Sequence, residues 1–135
     1  MPGFKSSYLA NQINDAVHGA VAYTPPGTLY LALFTATPTP SGGGTEVSGG
    51  SYARVAVTNN LTNFPSASGG NKKNGTAVTF AAPTADWGVV VALVEFDAGT
   101  GGNMITVEIF ATPVTILNSA PALVLPINSI TYSEA

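Results

Sequence analysis

The stretch Trp87-Gly88-Val89-Val90-Val91-Ala92-Leu93-Val94-Glu95-Phe96 decides the fold class. Laid out as a strand, Val89, Val91 and Leu93 face one way and Val90, Ala92 and Val94 the other. Thr28-Leu29-Tyr30-Leu31-Ala32-Leu33-Phe34-Thr35 repeats the pattern, with Leu29, Leu31 and Leu33 opposing Tyr30, Ala32 and Phe34. A strand apolar on both faces is covered on both faces. The second layer of a sandwich supplies one cover. The other is the N-terminal helix, a long polar loop or a second subunit. The loops and a subunit are equally good candidates, since one helix covers little.

The remaining segments agree with a β-rich fold. Residues 1–5 read as a short arm. Ser6 or Ser7 can cap a helix over about residues 7–18, where Leu9, Ile13, Ala16 and Val17 recur at helical period. Gly19 is placed to end it in a left-handed turn. After Pro25-Pro26-Gly27 every periodic segment is a strand: Thr28–Thr35, Tyr52–Thr58, Ala77–Phe80, Trp87–Phe96, Met104–Ala111, Val114–Leu117, Ala122–Leu125 and Ile127–Tyr132. Two polar loops, about residues 38–50 and 59–75, interrupt them. Turn signals at this spacing predict an antiparallel β-sandwich or jelly roll, one domain over residues 1–135 with strands from about residue 28 onward.

Composition narrows the function. The chain has 135 residues, 45% of them hydrophobic, with four Lys/Arg, seven Asp/Glu and no Cys. A net charge of −3 leaves no basic footprint for nucleic acid. Trp87 to Val94 falls far short of the ~18 apolar residues of a membrane-spanning helix. The N-terminus is polar rather than a secretory signal, which predicts a protein made and kept in a cytosol. A soluble chain with so few charges is expected to hide surface against a neighbour.

Signatures of chemistry are nearly absent, and no enzyme activity, cofactor or metal is predicted. His18 is the only His and has no spaced acid to orient it. Gly49-Gly50-Ser51-Tyr52-Ala53 echoes a nucleophile elbow, but a loop precedes it and a strand follows. Glu95 and Asp97 point to one side of a strand and read as its solvated end rather than a catalytic pair. Asp97 to Asn103 has the flavour of a calcium loop without its acidic spacing, so a hairpin connection explains it better. Neither Gly42-Gly43-Gly44 nor Gly99-Thr100-Gly101-Gly102 leads into a phosphate-binding helix. Asn60-Leu61-Thr62 and Asn74-Gly75-Thr76 match the glycosylation triplet, which means little without a secretion signal. Lys72-Lys73 reads as a solubilising loop tip. Trp87 reads as core, or more sharply as an interface anchor. Candidate interface residues are Leu9, Ile13, Val17, Tyr30, Phe34, Trp87, Val90 and Val94.

One resemblance runs over almost the whole chain. After the helix come Thr24-Pro25-Pro26-Gly27-Thr28-Leu29-Tyr30 and Leu33-Phe34-Thr35. Next is the most specific block, Thr45-Glu46-Val47-Ser48-Gly49-Gly50-Ser51-Tyr52-Ala53-Arg54-Val55-Ala56-Val57-Thr58. Asn74-Gly75, Phe80, Asp86-Trp87-Gly88, Phe96-Asp97-Ala98 and Gly101-Gly102-Asn103 follow. This resembles a family of small structural proteins of tailed bacteriophages, often labelled tail fibre proteins and similar to head decoration or cement proteins. Val94-Glu95 departs from the pattern, where smaller or apolar residues are expected. The resemblance implies a non-enzymatic virion protein made in the host cytoplasm. It implies a decoration protein on the capsid exterior, assembling as a homotrimer and binding the major capsid protein. A tail fibre or tail appendage is the alternative. A carbohydrate-binding module is a weaker one, because the aromatics sit mostly inside apolar strands.

Overall fold

A computed structural model describes residues 3–133. In chain order these form β1 (Gly3–Lys5), α1 (Ser7–Val17), β2 (Thr28–Ala36), β3 (Thr45–Glu46), β4 (Val55–Thr58) and β5 (Asn71–Lys73). Then follow β6 (Val78–Thr79), β7 (Gly88–Phe96), β8 (Met104–Ile116), β9 (Val124–Leu125) and β10 (Thr131–Ser133). The fold is mainly β, antiparallel, with one short helix, as the strand periods predict. A six-stranded sheet runs β1-β8-β7-β2-β3, with β4 also on β2. Two small ribbons, β5 with β10 and β6 with β9, make up the remaining pairs.

The doubly apolar strands β2 and β7 lie side by side at the centre of the large sheet, pairing from Tyr30↔Phe96 to Phe34↔Ala92. On one face Leu31, Leu33, Val90, Leu93 and Ile116 meet Val78, Phe80, Leu125 and Ile130 from the ribbons and the segment beside them. The ribbons are thus the second layer of the sandwich. On the other face Ala32, Phe34, Ala92, Val94, Phe96 and Val107 form a separate buried cluster. Among the described residues no second sheet covers it. Phe4 of β1 packs against it, the loop after β2 closes on the Phe34 ring at Gly44, and Arg54 lies over Phe96. The second polar loop supplies Phe64 to a third cluster with Leu29 and Ile105. The chain's own loops therefore cover these strands, and the inference of a subunit drawn from them gives way.

One register shift corrects the reading of β7. Val90 pairs with Val114 and Ala92 with Ile109, so residues 110–113 of β8 bulge out opposite Val91. Pro113, which cannot donate to a ladder, sits in that irregularity. The bulge turns Val90 to the face of Leu93 and leaves Val91 with Ala92 and Val94, breaking strict alternation. The two strands read at Met104–Ala111 and Val114–Leu117 are one bulged strand.

The helix begins as predicted. The buried Ser6 side chain accepts from the Leu9 N–H at 3.0 Å. It ends at His18, whose N–H donates to the Asn14 carbonyl at 2.7 Å. The left-handed residue is Ala20, at φ 55, rather than Gly19. Other differences follow from pairing that periodicity cannot show. The residues 3–5 half of the arm is an edge strand on β8; residues 1 and 2 lie outside the described ones. Lys72-Lys73 is no loop tip but pairs with Tyr132 and Thr131. The strand read from Tyr52 starts at Val55, and the last two shrink to Val124–Leu125 and Thr131–Ser133.

Asn74 ties the ribbons together from inside. Its amide donates to the Thr76 and Pro126 carbonyls, both at 2.9 Å, and accepts from the Ile130 N–H at 2.9 Å. Next to it, a Cβ on Gly75 would strike the Thr62 carbonyl, so the chain needs Gly there. Asn74→Ala strands one buried N–H and two carbonyls. It is expected to lower unfolding stability by roughly 2–4 kcal/mol, measured as the urea midpoint.

Candidate functional site

The densest polar cluster forms around Arg54, just before β4. Its Nε donates to Glu46 Oε2 and a terminal nitrogen to Glu46 Oε1, both at 2.9 Å, a bidentate ion pair. The other terminal nitrogen donates to the Ala98 carbonyl at 2.8 Å and the Gly101 carbonyl at 2.9 Å. The guanidinium carbon sits 3.8 Å from the centre of the Phe96 ring. One planar side chain thus joins β3, the β7–β8 hairpin and the covered apolar face.

Tyr52 completes the clasp. Its hydroxyl donates to Glu46 Oε2 at 2.7 Å and accepts from the Leu33 N–H of β2 at 3.0 Å. Its ring stacks on Phe80 and meets Trp87 edge-on. Trp87 is buried, and its indole N–H donates to the Gly50 carbonyl at 2.9 Å. Gly50 itself has φ 59, and a side chain there would press on Trp87, which explains the glycine pair before Ser51. Burial disfavours the Glu46 anion, but hydrogen bonds from Arg54 and Tyr52 and the Arg54 charge outweigh it and hold its carboxyl below its ordinary value. Burial, then the bond to Glu46, pushes the Tyr52 phenol up.

Beside the clasp lies an open cleft of about 450 Å³, lined by Tyr30, Ser48, Ala53 and Thr100 among others. Both Glu46 oxygens and most Arg54 donors are already spent on the protein itself. The arrangement fixes loops; it does not present free reactive groups to the cleft. The β7–β8 connection is a hairpin as read: both Asp97 oxygens accept from Asn103, at 2.7 and 2.9 Å, and Gly101 and Gly102 have positive φ. Among the described residues no three acidic or His side chains gather to hold a metal.

A second polar group is buried on the ribbon-facing side of the sheet. Glu95 of β7 and Glu108 of β8 are 4% and 3% exposed. Glu95 is therefore not the solvated strand end that its place before Asp97 implies. Its Oε1 accepts from the Thr106 hydroxyl at 2.8 Å, while Oε2 of each Glu and the Tyr132 hydroxyl make no hydrogen bond within 3.5 Å among the described residues.

The predicted interface residues scatter. Phe34, Trp87, Val90 and Val94 lie in the chain's own core, where neighbouring elements already cover them. They are packing residues, not surface anchors. Leu9 and Ile13 are half-buried, Leu9 against the Leu29, Phe64 and Ile105 cluster. Tyr30 is half-buried at the cleft. Val17 alone is well exposed, at 68%. The helix stripe is thus shared between the protein and its surface. Glu46, Tyr52, Arg54, Asn74 and Glu108 had no role assigned from sequence. The usable signal for the clasp was rarity: Glu46 and Arg54 are the only charges between Lys5-Asp15 and Lys72.

Residues 5–133 match the family described as podophage GP4 fiber I protein gp80. The chain belongs to this family. It is therefore a tailed-phage structural protein and a component of the virion. No curated protein is detectably similar to it. The clasp and the Phe96-Asp97-Ala98 and Gly101-Gly102-Asn103 segments fall inside the matched span.

Arg54→Lys keeps the charge but loses the fork to Glu46, the second carbonyl contact and the flat stack on Phe96. It is expected to cost on the order of 2–4 kcal/mol in the unfolding free energy. The loosening of Gly50 and Tyr52 should also shift the fluorescence of Trp87, the single Trp. An Arg54→Lys protein with wild-type stability and emission contradicts the clasp.

Proposed function

We propose that this chain is a non-enzymatic subunit of a virion fibre or tail appendage, assembling with copies of itself. Family membership over residues 5–133 carries this reading, because the matched family is described as a fibre protein. The geometry supports it: the most elaborate polar networks, around Arg54 and Asn74, hold loops in place. Such networks make a rigid module that transmits load and presents a fixed surface. Homotrimeric association is part of the proposal.

Capsid decoration is the second reading. It is favoured by the form of residues 3–133, a sandwich knob without a repeating shaft. Bound to the outside of the head, and contacting the major capsid protein, such a knob would stabilise the shell by binding only its assembled form.

Copy number and position separate the two. Quantitative mass spectrometry of purified virions, with electron-microscopic localisation, is expected to find few copies at the tail. Hundreds of copies spread over the head overturn the fibre reading in favour of decoration. For the trimer, sedimentation of the purified chain is expected to give three times the monomer mass. A monomer at micromolar concentration contradicts self-association.

A further inference from the structure

We propose that Glu95 and Glu108 form a proton-dependent latch that holds both terminal strands, β1 and β10, on the sheet and releases them as pH rises. The pair is built into adjacent strands. Glu95 stands opposite Thr106 and Glu108 opposite Leu93, so the two carboxylates are diagonal neighbours on one face of the sheet. Both are buried, and one oxygen of each lacks a donor. Two buried anions this close, each with one oxygen lacking a donor, repel across a poorly solvated space; a proton held by the pair relieves both the desolvation and the repulsion.

Each terminal strand lies directly on this pair. Gly3 of β1 is opposite Glu108, and a Cβ there would collide with the Glu108 carboxylate, so the edge strand sits over that side chain. From β10, Tyr132 packs against the same core face, and burial, then the Glu95 charge and the hydroxyl's approach to the Glu95 carboxylate, then the Glu108 charge, push its phenol up. The other charged and titratable groups around the pair are few. Lys5 stands opposite Thr106 on β1, and Lys72 opposite Tyr132 on β5. The helix contributes Tyr8 and Asp15, both exposed. On β2 the residue opposite Glu95 is Leu31, which is apolar.

The direction follows from the carboxyl groups. Burial raises Glu95 above its ordinary value. Burial, then the Glu95 charge, raises Glu108 to about 7, with the charge of the chain's amino terminus acting the other way. A carboxyl raised in the folded state binds a proton there that it loses on release. Its stabilising contribution is therefore fully present below the ordinary value of 4.5 and is lost as pH climbs through about 7. Detachment of β1 also uncovers the outer edge of β8, a row of free ladder groups able to pair with another strand.

The test is hydrogen exchange of the full chain at pH 5 and pH 8, with each amide corrected for its intrinsic rate. Opening of β1 and β10 is expected to rise by roughly 10- to 100-fold between the two, while β2 and β7 keep their protection. In Glu108→Gln that rise should shrink, because Glu95 alone still titrates, and in the Glu95→Gln, Glu108→Gln double variant it should fall to within about threefold, because both amides stay neutral. Equal protection of the terminal strands at both pH values in the wild type overturns the latch. So does a rise that persists in the double variant. A double variant that fails to fold at pH 8 also counts against it, since the amides keep the shape and neutrality of the protonated pair.

Discussion

Everything in this molecule answers to the pairing of β2 with β7. Two neighbouring strands, apolar on both faces, cannot be left open to water on either. Leu31, Leu33, Leu93, Val90 and Val94 are each essentially inaccessible, and burial of such side chains stabilises by about 1.5–3 kcal/mol apiece. The ribbons cover one face. The other is closed by Phe4, by the loop after β2 and by Arg54. The long polar loops are thus structural covers, rich in Gly and Pro because a cover must turn sharply over a flat sheet.

A cover without its own core must be tied down, and this explains the Arg54–Glu46 ion pair. The loop of residues 98–102 turns the Ala98 and Gly101 carbonyls inward, and β3 is two residues long. Arg54 meets both needs, because its fork matches a carboxylate on one side and leaves donors for carbonyls on the other. Its flat face also excludes water from Phe96. The stable ionisation of Glu46 depends on this arrangement: burial alone would neutralise it, and Arg54 with Tyr52 reverses the balance. The contrast with Glu95 is instructive. It is buried more deeply and has no cation beside it, so the neutral hydroxyls of Tyr132 and Thr106 only partly offset the same penalty.

The two central strands, the helix with its Ser6 cap and the β7–β8 hairpin were legible in the sequence, because each is coded by period or by turn residues close together in the chain. What was not legible depends on distant pairing. Nothing local marks Gly3–Lys5 or Asn71–Lys73 as strands; their partners lie some 100 and 60 positions away, at Thr106–Glu108 and Thr131–Ser133. The bulge opposite Val91 was hidden for the same reason, although Pro113 gave a hint of broken pairing. The burial of Glu95 was foreshadowed only by its place within an apolar strand, where a charge departs from the resemblance. The interface reading of Phe34, Trp87, Val90 and Val94 failed because apolar residues on a second strand face imply a cover without saying whether the cover is a loop or another chain.

That failure changes what supports an assembly role. With the central strands covered internally, the remaining exposed apolar residues include Val17, Val21, Leu61, Val89, Leu117, Val124 and Ile127. Exposed apolar residues of this kind are ordinary on folded proteins and need no neighbour to explain them. Self-association therefore cannot be argued from greasiness; the proposal of it draws only on the description of the matched family as a fibre protein. What the fold does contain beyond ordinary packing is a pair of carboxylates placed where hydrophobic residues would stabilise it more. Leu or Val at either position would remove a desolvation cost and an unpaired oxygen. A chain that keeps that cost directly beneath both of its terminal strands has, at the same spot, the means to let them go.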